Sequence, residues 1–234
     1  MSEEAIPPVE TFADYDLLAD LPGPDREELV RLVSVAEYPA GYTFYAPEDA
    51  GERVYLLRRG RVRLYKLSPE GRALTLMLLE PPAIFGELAL AEGGRHDSFA
   101  EAMTDCTVGL LGREALRRVL GRNPSLALRL MGVMSRRLRA MERKLADIAF
   151  KSVPQRLATV LLSLAGEQAD GRLGAPLVVV RYTHQQLAEM IGSYRETVTK
   201  VIGEFREAGI IRVEEDAILL TDLGRLRALV SGHG

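Results

Sequence analysis

The chain has 234 residues, of which 47% are hydrophobic and 27% charged. This composition predicts one large or two small globular domains and excludes disorder for most of the chain. No apolar run approaches the roughly 18 uncharged residues of a membrane span, and the acidic start at residues 1–4 is unlike a signal peptide. We therefore expect a cytoplasmic protein without membrane contact. One cysteine and three scattered histidines argue against a structural metal site.

The net charge of −3 conceals an uneven distribution of charged side chains. Residues 1–50 carry 2 basic and 12 acidic residues, whereas residues 101–150 carry 10 basic and 5 acidic residues. Phosphate binding depends on the local field at the contact surface rather than on total charge. Composition therefore neither supports nor excludes DNA as a partner.

Short β-rich runs separated by turn sequences follow a helical lead-in that leucine spacing predicts over residues 16–35. The runs are residues 42–45, 54–57, 62–67 and 73–79. Their number and spacing predict an antiparallel barrel or jelly roll over residues 36–111. The cysteine, Cys106, falls in a predicted strand and is expected to be a small buried hydrophobe.

The sequence becomes helical from Arg113, and Asn123-Pro124 begins a long helix with proline in its first turn. Apolar residues recur along it at alternating spacings of four and three. They are Ala127, Met131, Met134, Leu138, Met141, Leu145 and Ile148. This pattern favours a coiled-coil dimer seam over three heptads, and the alternative is an ordinary core-facing helix.

Two short helices joined by a glycine turn are predicted after a helix at 154–167, a loop at 168–176 and a strand at 177–180. Thr183 and Gln186 form a capping box for the first helix, and Ser193 and Glu196 form one for the second. Gly192 makes the turn between them. These features predict a helix-turn-helix. The alternative is a helical hairpin that does not bind DNA.

The second helix carries an inward apolar stripe and an outward polar face. The stripe comprises Val198, Val201, Ile202 and Phe205, and the polar face comprises Arg195, Glu196, Thr199 and Lys200. The polar face lies in the first two turns, which is the part of a recognition helix that enters the major groove. Arginine can bond guanine, and glutamate can accept from cytosine. Residues 210–220 predict a hairpin wing, and its acidic tip at 214–216 is expected to point away from DNA.

The chain resembles the CRP/FNR family of bacterial transcription regulators along nearly its whole length. Residues 193–200, SYRETVTK, are similar to the recognition-helix motif of that family, and residues 84–90, IFGELAL, resemble the opening of its phosphate-binding cassette. The resemblance implies an α+β fold. Its parts are an acidic segment with short helices at 1–35, an effector-type β-roll of the cyclic-nucleotide-binding kind at 36–121, a dimerisation helix at 122–150 and a winged helix-turn-helix domain at 151–234.

By this resemblance, Arg195 would bond a guanine, Glu196 a cytosine and Lys200 a further purine, with Thr199 beside them. Half-sites related to TGTGA follow. Phosphates would be held by Thr183, His184, Gln185, Ser193, Tyr194 and Thr197. The expected partners are double-stranded DNA, RNA polymerase and a second copy of the chain, and the expected role is transcriptional activation.

The candidate effector pocket implied by the resemblance comprises Gly86, Glu87, Leu88, Arg95, Ser98, Arg137, Met141 and Glu142. Receptors for cyclic AMP (cAMP) in this family use an Arg-Ser pair where this chain has Asp97-Ser98, and a Thr-Ser pair where it has Met141-Glu142. An aspartate that faces a phosphate repels it. The sequence therefore favours DNA binding without cAMP or another cofactor. The alternative is an effector-gated regulator that binds cAMP, another nucleotide or 2-oxoglutarate, with Arg95 as a substitute phosphate partner.

Two other classes of protein are alternatives to a transcription regulator. An enzyme is disfavoured because the chain has no nucleophile elbow, P-loop, zincin motif or cysteine–histidine pair. A free-standing ligand-binding module would account for the β-roll and would leave the helix-turn-helix unexplained.

Overall fold

The computed structural model describes residues 11–12, 27, 31–90, 94–165, 177–180, 182–215 and 217–231. The predicted loop at 168–176 and most of the predicted helical lead-in at 16–35 lie outside these residues. Contact density separates two compact units. The described residues of Thr11–Lys66 and Leu76–Met141 form the first, and those of Leu67–Thr75 and Glu142–Gly234 belong to the second. Among the helices that are described, none is long and apolar enough to cross a membrane.

The first unit is built mainly from β-strands. They are β1 (Thr11–Phe12), β2 (Ser34–Tyr38), β3 (Thr43–Tyr45), β4 (Arg53–Arg59), β5 (Val62–Leu67), β6 (Ala73–Leu79), β7 (Ala83–Phe85), β8 (Phe99–Ala102) and β9 (Cys106–Gly112). A 3₁₀ turn, Glu87–Leu90, follows β7. The strands form two sheets, in the orders β1-β6-β5-β8-β3 and β2-β9-β4-β7. The pairs β3/β8, β5/β8, β2/β9, β4/β9 and β4/β7 are antiparallel. The predicted β-roll is confirmed.

The two sheets enclose one apolar core. Leu57, Leu79 and Phe85 are almost completely buried in it, and each such side chain stabilises the fold by about 1.5–3 kcal/mol relative to exposure. Cys106 is also buried there, and burial raises the pKa of its thiol. A protonated, buried thiol is a poor nucleophile, so Cys106 acts as the small hydrophobe that its strand predicted.

Three helices follow the roll: α1 (Arg113–Arg122), α2 (Pro124–Phe150) and α3 (Val153–Ala165). The long helix α2 begins at Pro124, as its sequence predicts. One side of α2 is buried at Leu126, Val133, Arg137 and Ala140. The predicted heptad stripe lies elsewhere on the helix: Met131, Leu138 and Leu145 are 63%, 61% and 69% exposed in the single chain, Ile148 is also exposed, and Met134 and Met141 are partly buried.

The second unit contains the remaining elements. They are β10 (Leu177–Val180), α4 (His184–Ile191), α5 (Arg195–Glu207), β11 (Ile211–Val213), β12 (Ala217–Leu220) and α6 (Leu223–Val230). The three strands form an antiparallel sheet in the order β10-β12-β11. The winged helix-turn-helix is thereby confirmed. Helix α6 was not predicted; it has only eight residues, and its one local signal is the N-cap Asp222, which accepts from the Arg225 amide at 2.9 Å.

Candidate nucleic-acid interface and ligand pocket

Helix α4 begins and ends as its sequence predicts. The Thr183 hydroxyl accepts from the Gln186 amide at 3.1 Å, and Gln186 Oε1 accepts from the Thr183 amide at 2.8 Å. These reciprocal bonds are the predicted capping box. Gly192 ends the helix with φ of +63°, a left-handed conformation that glycine adopts without strain. The chain turns there toward α5.

Helix α5 begins one residue later than predicted. Tyr194, not Ser193, occupies the N-cap position with extended backbone angles, and its side chain does not cap the helix. Glu196 is therefore the second helical residue and cannot complete a box with Ser193, so the predicted second capping box is wrong. The Tyr194 side chain thus accepts from none of the first-turn amides of α5. The predicted inward stripe is buried at Val198, Val201, Ile202 and Phe205.

The predicted base-contacting side chains are all exposed. Arg195, Glu196, Thr199 and Lys200 lie on the first two turns of α5, opposite the buried stripe. Thr199 donates its hydroxyl proton to the Arg195 carbonyl at 2.9 Å. The same hydroxyl lies 2.8 Å from Nδ1 of His184, so His184 is the donor in that bond. The Thr199 hydroxyl thus makes both of its hydrogen bonds within the chain, and the bond from His184 connects α4 with α5.

The remaining predicted phosphate contacts lie at or near the start of the two helices. Thr183, Gln185 and Tyr194 are exposed, and Ser193 and Thr197 are partly buried. Gln185 donates to Glu189 at 2.9 Å. The Tyr194 hydroxyl accepts from Arg72 at 3.0 Å. Sequence reasoning did not find Arg72, because 122 residues separate it from Tyr194.

Two partly buried cations hold the carboxyl end of α4 and were also missed. Lys144 donates to the Met190 carbonyl at 2.8 Å, and Arg156 donates to the Ile191 carbonyl at 2.7 Å. Cations are favourable at this negative end of a helix. Burial lowers the pKa of the Lys144 ammonium group to about 8, although Asp147 raises it. These contacts fix the turn from which α5 begins.

The centre of the candidate ligand pocket in the first unit is a buried ion pair. Arg137 Nη1 donates to Glu87 Oε1 at 2.8 Å, and the Arg137 guanidinium also donates to the Ile84 carbonyl. Both side chains are at least nine-tenths buried. Glu87 Oε2 is buried without a hydrogen-bond partner among the described residues. The structure thus brings together Glu87 and Arg137, which were predicted from separate parts of the chain.

Two buried rings that the sequence reasoning missed stack on each other in the first unit. Tyr45 and His96 stack with ring centroids 3.6 Å apart and planes 6° from parallel, and both are buried. The Gly86 backbone and the Glu87 carboxylate both affect the pKa of the Tyr45 hydroxyl, so this ring lies near the predicted cassette. Burial and the nearby Glu87 carboxylate raise the pKa of Tyr45, and burial lowers the pKa of His96. Two neutral rings therefore lie in the roll, with Tyr45 near Gly86 and Glu87, and Ser98 is buried as well.

Several predicted pocket residues lie at the surface instead. Leu88 is 56% exposed, and Glu142 is exposed. Arg95 is exposed and donates to the Glu48 carbonyl at 2.6 Å; its role as a substitute phosphate partner stays a prediction. Asp97 is exposed and pairs with Lys66 at 3.2 Å. Its carboxylate thus pairs with a solvent-exposed lysine of β5, and its position as the neighbour of a bound phosphate stays a prediction. Met141 is partly buried.

Comparison with known proteins agrees with this architecture. Residues 35–123 match the family model of the cyclic nucleotide-binding domain, and residues 155–229 match that of the Crp-like helix-turn-helix domain. A CRP-like cAMP-activated global transcriptional regulator of Mycobacterium tuberculosis is 33% identical over 85% of this chain and 88% of its own length. A global nitrogen regulator of Synechococcus elongatus is 31% identical over 80% and 85%. The crystal structure of a CRP/FNR-family transcriptional regulator from Thermus thermophilus, TTHA1359, superposes with a TM-score of 0.71 at 34% identity, covering 86% of this chain and all of that one.

Proposed function

The chain belongs to the CRP/FNR family of transcription regulators, and we propose that it binds a TGTGA-like pseudo-palindrome as a homodimer and activates transcription without cAMP. The coarser part of this statement, a regulator with a cyclic nucleotide-binding domain and a helix-turn-helix domain, follows from the family models. The operator, the activating role, contact with RNA polymerase and independence from cAMP are the proposal.

The observation that carries the DNA part is the exposure of the first two turns of α5. Arg195, Glu196 and Lys200 present charged groups to solvent while the opposite face of the same helix is buried. Arginine can bond guanine O6 and N7 together, and glutamate can accept from a cytosine amino group. Lys200 lacks the planar fork of arginine, so discrimination at its base pair should be weaker.

The homodimer is supported by the exposed heptad stripe on α2. Leucine and methionine side chains that are more than 60% exposed in the single chain are unusual on a soluble surface when they form a continuous stripe. A second copy packed against the stripe would bury them. In two-fold dimers of helix-turn-helix proteins, the two recognition helices lie about 34 Å apart in successive major grooves, and we expect the same spacing here.

Independence from cAMP is supported by the contents of the candidate pocket. Tyr45 and His96 are stacked and buried, Tyr45 lies near the Gly86 backbone, and Glu87 is paired with Arg137 inside the chain. Neither Arg95 nor Asp97 is buried with this cluster. Among the described residues, a cyclic nucleotide would find no buried arginine beside Gly86 other than the one already paired with Glu87.

An effector-gated regulator is the second candidate, and one observation favours it. Glu87 Oε2 is a buried acceptor without a described partner, and a ligand hydroxyl or amino group could donate to it. The M. tuberculosis relative is named as cAMP-activated. Cyclic AMP, another nucleotide or 2-oxoglutarate would be the ligand of such a regulator.

Fluorescence anisotropy separates the two candidates. A labelled TGTGA-N6-TCACA duplex and a scrambled duplex are titrated with the protein at fixed salt, with and without saturating cAMP. We expect tight, specific binding that cAMP does not change. Specific binding only with cAMP would favour the effector-gated candidate, and equal binding to both duplexes would contradict the proposed operator.

A further inference from the structure

The tip of the β5–β6 hairpin, residues 67–75, belongs by its contacts to the unit that contains the helix-turn-helix. A tight turn forms this tip: the Ser68 amide donates to the Arg72 carbonyl at 2.8 Å, and the Gly71 amide donates to the Ser68 carbonyl at 2.9 Å. Gly71 has φ of +80°, which the turn requires. The turn holds the backbone of Arg72 in one place, at the start of β6.

Arg72 makes two contacts with Tyr194, the N-cap residue of α5. Its Nη1 donates to the Tyr194 hydroxyl at 3.0 Å, and its guanidinium carbon lies 4.0 Å from the centroid of the tyrosine ring. A cation over the face of an aromatic ring is attracted by the negative charge of that face. The hydrogen bond and the ring contact together define one orientation of the guanidinium.

A second contact connects the same hairpin to the turn of the helix-turn-helix. Leu74 lies 3.4 Å from the position that a Cβ at Gly192 would take. The hairpin therefore touches both the turn and the first residue before the recognition helix. Arg72 is not an isolated surface side chain that happens to lie near Tyr194.

The chemistry of the pair fits an anion. The guanidinium has five N–H groups, and the bond to Tyr194 uses one of them. The Tyr194 hydroxyl accepts from Arg72 and keeps its own proton to donate. Both side chains are exposed, with Tyr194 58% exposed. Glu70 on the same hairpin is exposed and near Arg72, and its pKa is lowered by Ser68, by its own backbone and by the charge of Arg72.

Resting on the proposed DNA-binding function, we infer that Arg72 and Tyr194 hold one phosphate of the DNA backbone together. The hydroxyl and the guanidinium donate to oxygens of the same phosphate, at the uncapped amino end of α5, where the helix dipole also favours negative charge. The DNA-binding surface therefore includes a residue of the β5–β6 hairpin. Phosphate contacts set register and carry no sequence information, so Arg72 contributes equally on every sequence.

The experiment measures the salt dependence of DNA binding for Arg72→Ala, Arg72→Lys and the wild type. Anisotropy titrations on the specific and the scrambled duplex run from 50 to 200 mM salt. We expect Arg72→Ala to bind both duplexes about 10-fold more weakly and to reduce the slope of log K against log salt by about 1. Arg72→Lys keeps the charge and should recover most of the slope. Arg118→Ala, an exposed arginine on α1, is the matched control and should change neither quantity.

A double-mutant cycle with Tyr194→Phe tests whether the two side chains act on one phosphate. Their effects should be less than additive, because either change weakens the same contact. Unchanged affinity and slope in Arg72→Ala, with specific binding by the wild type, would overturn this inference and leave the proposed function intact. Tighter binding by Arg72→Ala would also overturn it, since Arg72 would then compete with DNA for Tyr194. Failure of the wild type to bind either duplex would overturn both.

Discussion

The Glu87 cluster in the roll and the start of α5 are both rich in polar groups, and they differ in where those groups are directed. Glu87 and Arg137 are buried and bonded to each other, and Tyr45 and His96 are buried in a stack. Arg195, Glu196 and Lys200 are exposed. A buried charge destabilises the fold unless it has a partner inside the chain, whereas an exposed charge is solvated by water and needs no such partner. The first region therefore contributes to the folded state, and the second is available to a ligand as large as DNA.

Breaking the buried Glu87–Arg137 pair should give the largest change in stability. Arg137→Met leaves the Glu87 carboxylate buried without its cation and should lower the free energy of unfolding by about 3–5 kcal/mol. Replacing both partners, as Glu87→Met with Arg137→Met, should recover most of that loss. Urea unfolding followed by circular dichroism measures both. Lys66→Ala breaks the exposed pair with Asp97 and should cost at most about 1 kcal/mol; an equal loss in Arg137→Met would remove the contrast.

The exposed apolar stripe on α2 is also available to a partner, which we expect to be a second copy of the chain. Leu138→Glu places a charge on a side chain that is 61% exposed in the single chain, so the fold of one chain should be unchanged. A dimer packed on the stripe would bury that charge, and self-association should weaken by about 100-fold or more. Sedimentation equilibrium measures it. Arg139→Glu, exposed on the same helix and off the stripe, is the control; equal weakening by both variants would argue against the seam.

Substitutions on the exposed face of α5 should change DNA binding and leave the stability of the fold unchanged. Arg195→Ala should cost about 1–3 kcal/mol of binding free energy on the TGTGA-like duplex and much less on a scrambled one. Its urea midpoint should match that of the wild type, because the side chain is exposed. Arg206→Ala, in the last turn of the same helix, is the matched control. If the loss on random DNA equals the loss on the specific duplex, Arg195 does not contact a base.

The smallest expected effect is a pH dependence of stability caused by the partly buried Lys144. This lysine donates to the Met190 carbonyl at the end of α4, just before the recognition helix. Its folded pKa of about 8 lies below the unfolded value of 10.5, so between these values the unfolded chain binds more protons and stability rises with pH. The slope from this group is at most about 1.4 kcal/mol per pH unit. Urea unfolding at several pH values from 8 to 10 should give a slope that is smaller in Lys144→Met than in the wild type.

The comparison of Lys144→Met with the wild type separates the effect of Lys144 from that of other groups that titrate in the same pH range. Burial raises the pKa of Cys106 and of Tyr45, so these two groups make stability fall as pH rises above their ordinary values. Both are present in the variant as well as in the wild type. Identical slopes in the two proteins would mean that Lys144 is charged throughout this range.

The parts of the fold that local patterns determine were predictable. The strands between residues 43 and 79, the start of α2 at Pro124 and the capping box at Thr183 follow from alternation, proline placement and hydrogen bonds between neighbours in sequence. The second capping box failed by one residue, because Tyr194 takes the N-cap position that Ser193 was expected to hold. Cap positions depend on how the preceding turn ends, and that turn is held by Lys144 and Arg156 from distant parts of the chain.

By itself, the sequence determined the order of β-roll, long helix and winged helix-turn-helix, because each of these is encoded by periodicity and turn residues within a short span. It also determined the exposed charges of the recognition helix, since they lie opposite an apolar stripe on the same helix. Only the tertiary structure decided that Tyr45 and His96 stack, that Asp97 pairs with Lys66, and that Arg72 contacts Tyr194. Those contacts join residues that are far apart in sequence, and no local pattern carries the information that they meet in space.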